Sequence, residues 1–150
     1  MSTLTAFEKR VLDACLAGDD QRLSLLRLQA EAAVVASREH TGVGAYINFS
    51  VPDSSPLLEP GTFIIGDLNL EIVGLPDGVT TLLYGYGGRI QFLEFATHAG
   101  EWPEKPEIIG VGYLQEVQVG PETFSLVPSN ERHLETLNRA LEARPPQGPV

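Results

Sequence analysis

Two alternating runs, Val79–Tyr86 and Arg89–Thr97, stand on either side of Gly87-Gly88, and this arrangement restricts the chain more than any other feature it has. A two-residue turn with positive φ at both central positions matches the right-handed twist of the strands it joins. Glycine enters that region without steric cost. The segment therefore specifies an antiparallel hairpin, and the sequence around it must supply a sheet for that hairpin to join.

Neighbouring segments carry the same period. In Tyr46–Val51 the apolar Ile47, Phe49 and Val51 alternate with polar residues, and Pro52 opens a loop that runs to Gly61. Thr62–Leu75 is a further strand region, with Leu68, Leu70 and Ile72 on one side and Asp67, Asn69 and Glu71 on the other. Pro76-Asp77-Gly78 turns the chain into the hairpin, and the proline-bearing stretch Gly100–Pro106 ends it. Ile109, Val111, Tyr113, Val117 and Val119 share one parity, Gly120-Pro121 makes a turn, and Thr123–Val127 returns as a short strand.

Helical patterns flank this run. Thr5 and Glu8 have capping-box spacing, and Phe7, Val11, Ala14 and Cys15 form one apolar stripe before Gly18 stops the helix. Asp19 or Asp20 caps a second helix, in which Leu23, Leu26, Ala30, Ala33 and Val34 keep the period to about Ser37. After Pro128-Ser129, Leu134, Leu137 and Leu141 place a last helix. Short connections favour antiparallel neighbours, since parallel strands need long crossovers. The expected fold class is α+β: an N-terminal helical hairpin, an antiparallel meander sheet of about five or six strands, and a C-terminal helix packed on one face. Residues 1–143 are expected to form a single domain and 144–150, rich in proline, a flexible tail.

Charge is unevenly placed along the chain. Of the net charge of −10, the whole excess lies in Glu39–Pro128, where twelve acids face only Arg89 and Lys105, while both flanks are balanced. An acidic balance argues against nucleic acid and anionic membrane surfaces, which need basic protein surface. One cysteine forms no internal disulfide, and no apolar run approaches the roughly 18 residues of a membrane span. Charges stand where a signal peptide would need its apolar core, so a cytoplasmic setting is expected.

Candidate residues follow from these patterns. Asp67, Asn69 and Glu71 share a strand face that, if open, meets a cation, a basic partner or a polar substrate, and is otherwise an ordinary hydrophilic outer face. Trp102, the one tryptophan, lies in an acidic loop with Glu101 and Glu104, where it either anchors an interface or folds over the core edge as a lid. Glu94 and His98 share parity but lie roughly 13 Å apart along a strand, too far to form a general-base pair without a bend. His40, His98 and His133 lack zinc-ligand spacing, and Cys15 lies on an apolar stripe with nothing to stabilise a thiolate. Gly85-Tyr86-Gly87-Gly88-Arg89 leads into another strand, not into the helix a phosphate loop requires. No metal and no cofactor are expected.

The run Gly78–Pro103, centred on Leu-Leu-Tyr-Gly-Tyr-Gly-Gly-Arg-Ile-Gln-Phe-Leu-Glu-Phe and ending in Glu101-Trp102-Pro103, resembles a group of small uncharacterised bacterial proteins. That group has a glycine turn followed by Arg-Ile, an apolar-Leu-Glu stretch and a later Trp-Pro, and the likeness extends to Gly42-Val43-Gly44 and Gly66-Asp67. At Phe95 and Ala96 this chain departs from the glycine and aromatic residue usual there. The resemblance implies a bacterial source and carries over no activity and no catalytic residue.

The function expected from these features is a non-catalytic acidic binding protein, immunity- or antitoxin-like, that engages a basic protein partner through Asp67, Asn69, Glu71, Glu101, Trp102 and Glu104. Two alternatives stand beside it. One is a small hydrolase-type enzyme using carboxylate and histidine chemistry. The other is a subunit that forms a homodimer through Trp102 and a sheet edge.

Overall fold

The first helix, α1 (Ala6–Cys15), starts at the expected capping box in the computed structural model, which describes residues 2–142. The Glu8 amide donates to Thr5 Oγ1 at 3.1 Å, and the Thr5 amide donates to Glu8 Oε1 at 2.9 Å. The Glu8 carboxylate is buried and also receives two bonds of 2.8 Å from Arg38. Burial alone would raise its pKa. The bonds from Arg38 and Thr5, with the Arg38 charge, outweigh burial and hold it below the ordinary 4.5. A folded-state pKa below the unfolded one gives stability that is present above the unfolded value and lost as pH falls through the folded one. Glu8→Gln should therefore flatten the acid limb of the stability–pH curve, as read from urea midpoints taken at successive pH values. An unchanged acid limb would assign that stability to other carboxylates.

The second helix, α2 (Gln21–Ala32), is capped by Asp20, whose carboxylate accepts from the Arg22 amide at 2.8 Å. It stops earlier than the periodicity implies. Ala33 is already extended (φ −73°, ψ 147°), and Val34–His40 is a strand, β1, where the sequence pattern continues a helix to about Ser37. Two adjacent valines are stiff at χ1 and fit a pleated surface better than a helix. What decides the matter is a partner: Val35 pairs with Phe49 of β2 (Gly44–Ser50), burying both.

The remaining elements are β3 (Phe63–Ile65), β4 (Leu68–Ile72), β5 (Val79–Tyr86), β6 (Arg89–Thr97), β7 (Ile108–Gln118), β8 (Phe124–Ser129) and α3 (Leu134–Leu141). The fold is α+β, as expected, with every strand pairing antiparallel. The sheet has eight strands where five or six are expected, because β1 reads as helix and the Thr62–Leu75 region is broken into β3 and β4. Nor is it a simple meander. The order is β1-β2-β6-β5-β4-β7-β8, with β3 also on β5, so the chain leaves β2 and returns beside it only with β6.

The hairpin of β5 and β6 has the boundaries the sequence implies, with Gly87 at φ 62° and Gly88 at φ 81°. Gly44 answers a different demand. A Cβ there would lie 1.7 Å from the Phe95 carbonyl oxygen, so only glycine lets β2 approach β6 this closely.

All three helices contribute to one core against the inner sheet face. Leu12, Cys15 and Leu16 meet Leu23 and Leu26, strand residues Phe63, Ile65, Leu83, Leu93 and Phe95, and Leu137 and Leu141 of α3. Leu134, expected on the same stripe, is 60% exposed. Gln29 of α2 is wholly buried and joins this core to the loop before β3. Its amide nitrogen donates to the Pro56 and Gly88 carbonyls, each at 2.7 Å, and its oxygen accepts from the Ile90 amide at 3.0 Å. The expected tail, 144–150, lies outside the described residues.

Candidate functional site

The six residues expected to meet a partner fall in three separate places. Asp67 is inside the protein. Five steps from Ile65 to Leu70 match only four from Leu83 to Val79 on β5, so one extra residue is accommodated at Gly66-Asp67. Such a bulge reverses side-chain parity: Phe63, Ile65 and Asp67 point inward on one side of it, and Leu68, Leu70 and Ile72 on the other. Asp67 therefore shares the buried face with Leu68 rather than the outer face with Asn69 and Glu71.

There Arg132 meets it. Arg132 Nε and Nη2 donate to the two carboxylate oxygens at 2.9 and 3.0 Å, and the side chains are 10% and 1% exposed. The same guanidinium donates to the Cys15 and Ala17 carbonyls, each at 2.7 Å, and lies 4.8 Å from the Tyr113 ring centre. Tyr113 in turn donates to the Ala14 carbonyl at 2.9 Å. The last carbonyls of a helix lack intrahelical partners and carry its negative end. Arg132 thus ties α1, the β3–β4 bulge and β7 together. This cluster is structural, and Cys15 within it is inert: burial is the main cause that pushes its thiol up to about 12.

Asn69 and Glu71 do face outward. Their partners on β7 are Gly112 and Gly110, and the missing side chains leave a shallow polar hollow of about 310 Å³. Glu71 is its one carboxylate, and among the described residues no group of three or more potential ligands could hold a metal. Trp102 is on the opposite side of the sheet. It stacks on Phe95 at 5.0 Å and tilts against Phe7 at 6.1 Å, covering the core edge, with Glu101 and Glu104 exposed beside it. Glu94 and His98 form no dyad. Glu94 Oε2 accepts from the Tyr46 hydroxyl at 3.0 Å, while the His98 ring bonds Thr80 Oγ1 at 2.8 Å and the Asp77 carbonyl at 2.9 Å.

Strand register brings a different set of residues together on the outer face. Ser37, Asn48, Phe92, Tyr84 and Ile64 lie side by side across five strands. In the next row, Glu39, Tyr46, Glu94 and Leu82 do the same across four. Cross-strand neighbours have Cβ atoms about 4.5–5.5 Å apart, so side chains in these rows are within reach of one another. Tyr84 stacks on Phe92 with centroids 4.5 Å apart, and Tyr46 meets Phe92 edge-on at 5.7 Å. Glu39 and Glu94 flank Tyr46 on either side, one strand away in each direction. Neither row contains a lysine or arginine. Arg89, at the hairpin end of β6, lies 3.8 Å from Asp53.

The field of Glu94 is felt by both tyrosines. The hydrogen bond to Glu94, and then its charge, raises the pKa of Tyr46; burial, and then the same charge, raises that of Tyr84. Both phenols are accordingly protonated, neutral donors at physiological pH.

The acidic segment as a whole is more dispersed than the sequence implies. Asp67 and Glu116 are paired with Arg132 and Arg139, and Glu59, Asp77, Glu101, Glu104, Glu107 and Glu122 sit exposed outside the strands. The outer face is an aromatic patch set with a few carboxylates, not a continuous anionic layer. Fold and site together define an α+β protein with helices on one sheet face and an aromatic-acidic patch on the other. Comparison with protein-family models, curated proteins and solved structures gives no match. Among the described residues, no helix is long and apolar enough to cross a membrane.

Proposed function

We propose that this chain is a non-catalytic binding protein that receives a basic protein partner on the outer face of its sheet. The observation that carries the reading is the registered block of Tyr46, Tyr84 and Phe92 beside Glu39 and Glu94, with no base in either row. Aromatic side chains concentrate binding energy at interfaces, and carboxylates among them select cationic partners and speed their approach. An inhibitor of a cationic toxin, in the manner of immunity proteins, suits this chemistry, and the resemblance noted in Gly78–Pro103 adds a bacterial setting.

The test is residue-resolved titration with a short peptide of mixed lysine and arginine, at low salt and near physiological ionic strength, where the screening length falls to about 8 Å. Shifts should centre on Tyr46, Tyr84, Phe92 and Glu94, and affinity should weaken with salt. Shifts spread evenly over Glu59, Asp77, Glu101 and Glu122, or none at all, would sink the reading.

A further inference from the structure

We infer that the outer patch is selective for arginine over lysine: its partner presents a guanidinium that lies on the Tyr84–Phe92 rings and pairs with Glu94. This rests on the function proposed above and specifies the chemistry of that same face.

Supply of acceptors separates the two cations. An ammonium is compact and strongly hydrated, so a site that takes it from water must return several oxygen contacts at one point. The patch does not offer them. One Glu94 oxygen already accepts from the Tyr46 hydroxyl, and Glu39 lies beyond Tyr46, roughly 10 Å from Glu94 at two strand spacings. Asn48 donates its amide nitrogen to Ser37 Oγ at 3.0 Å and, more weakly, to Glu39 at 3.4 Å, so it adds only one neutral amide oxygen.

The patch does offer aromatic surface two residues, about 7 Å, along a strand from a carboxylate. Phe92 stands two residues before Glu94 on β6, and Tyr84 is opposite Phe92. A guanidinium is planar and weakly hydrated, stacks on aromatic groups, and still directs N–H donors sideways to a carboxylate. Glu94 Oε1 carries no hydrogen bond among the described residues and is the acceptor such a fork would use. A second arginine, spaced along the partner, would meet Glu39.

The deciding experiment compares two short peptides of equal length and charge, one an arginine homopeptide and one a lysine homopeptide, against the full chain. The arginine peptide should bind about tenfold more tightly. Tyr84→Leu, checked for an unchanged unfolding midpoint, should reduce that preference to near unity while the lysine peptide is little affected. Equal binding of both peptides at the patch would overturn arginine selectivity and leave the basic-partner reading standing. Binding of neither, with sedimentation showing a dimer that Tyr84→Glu breaks, would overturn both, because a second copy would then be the occupant. The peptide comparison uses the native chain, so it holds even if a variant fails to fold.

Discussion

Arg132→Leu is expected to destabilise the protein by about 3–5 kcal/mol, because it leaves the Asp67 carboxylate buried without its counter-charge. Three further losses add to this. The Cys15 and Ala17 carbonyls at the end of α1 lose their donor, and the Tyr113 ring loses its cation. Arg132→Lys should recover little, since one ammonium cannot address both carboxylate oxygens and two carbonyls at these positions. Changing both members, Asp67→Leu with Arg132→Leu, should cost less than the single arginine change plus the single aspartate change. A coupling of that sign is expected when neither charge is left alone. Some loss should remain in the double variant, because the α1 carbonyls are still orphaned. Urea midpoints of the four proteins give the cycle directly. A single variant within about 1 kcal/mol of the parent would mean that water or another group reaches Asp67, against the burial described.

Gln29→Leu is expected to cost about 2–4 kcal/mol, through the buried groups it abandons rather than through packing. The Ile90 amide loses its acceptor, and the Pro56 carbonyl loses its donor, whereas the Gly88 carbonyl keeps the Leu58 amide at 3.0 Å. Since Gln29 joins α2 to both the loop before β3 and the hairpin turn, local opening should accompany the global loss. Amide exchange at Ile90 and Leu58 should rise in native conditions. Gln29→Glu offers a control with a pH signature. A carboxylate held against the Pro56 and Gly88 carbonyls has its folded-state pKa raised, so its protonated form is the one that fits. That variant should therefore regain stability as pH falls toward the acid range, opposite in sign to the Glu8 effect. Exchange at Ile90 that stays at the parent rate in Gln29→Leu would show that the bridge does not hold the turn.

Local rules were enough for some elements. The capping box at Thr5 and Glu8, a cap at Asp19 or Asp20 (Asp20 takes it), and the hairpin turn at Gly87-Gly88 each depend on groups within four residues of one another, and each is present where the sequence places it. Where the outcome depends on a distant partner, local pattern does not decide it. Val34 fits a helical stripe as well as a strand, and pairing with β2 made the choice. Ile109 shares parity with Val111 and Tyr113, yet a register shift opposite Glu71 and Ile72 leaves it 64% exposed. Asp67 alternates faultlessly with Leu68 until a one-residue bulge turns it inward, and nothing in its own neighbourhood marks Arg132, sixty-five positions away, as its partner.

The candidate site shows the same division. Tyr46, Tyr84 and Phe92 occupy outward positions that alternation alone marks as solvent-facing, and each looks like an isolated surface aromatic. Only the registers of β2, β5 and β6 bring the three rings and Glu94 into contact. Trp102, conspicuous in the sequence, is spent on covering Phe7 and Phe95.

By itself the sequence determined the α+β class, the starts of the first two helices, the turn chemistry and the acidic balance, because backbone dihedral preference, capping and net charge are properties of residues and their near neighbours. The tertiary structure decided which carboxylates are sealed inside, which aromatics meet, and which face of the sheet is left without helices. Those outcomes depend on strand register, and a shift of one residue exchanges every side chain between the two faces.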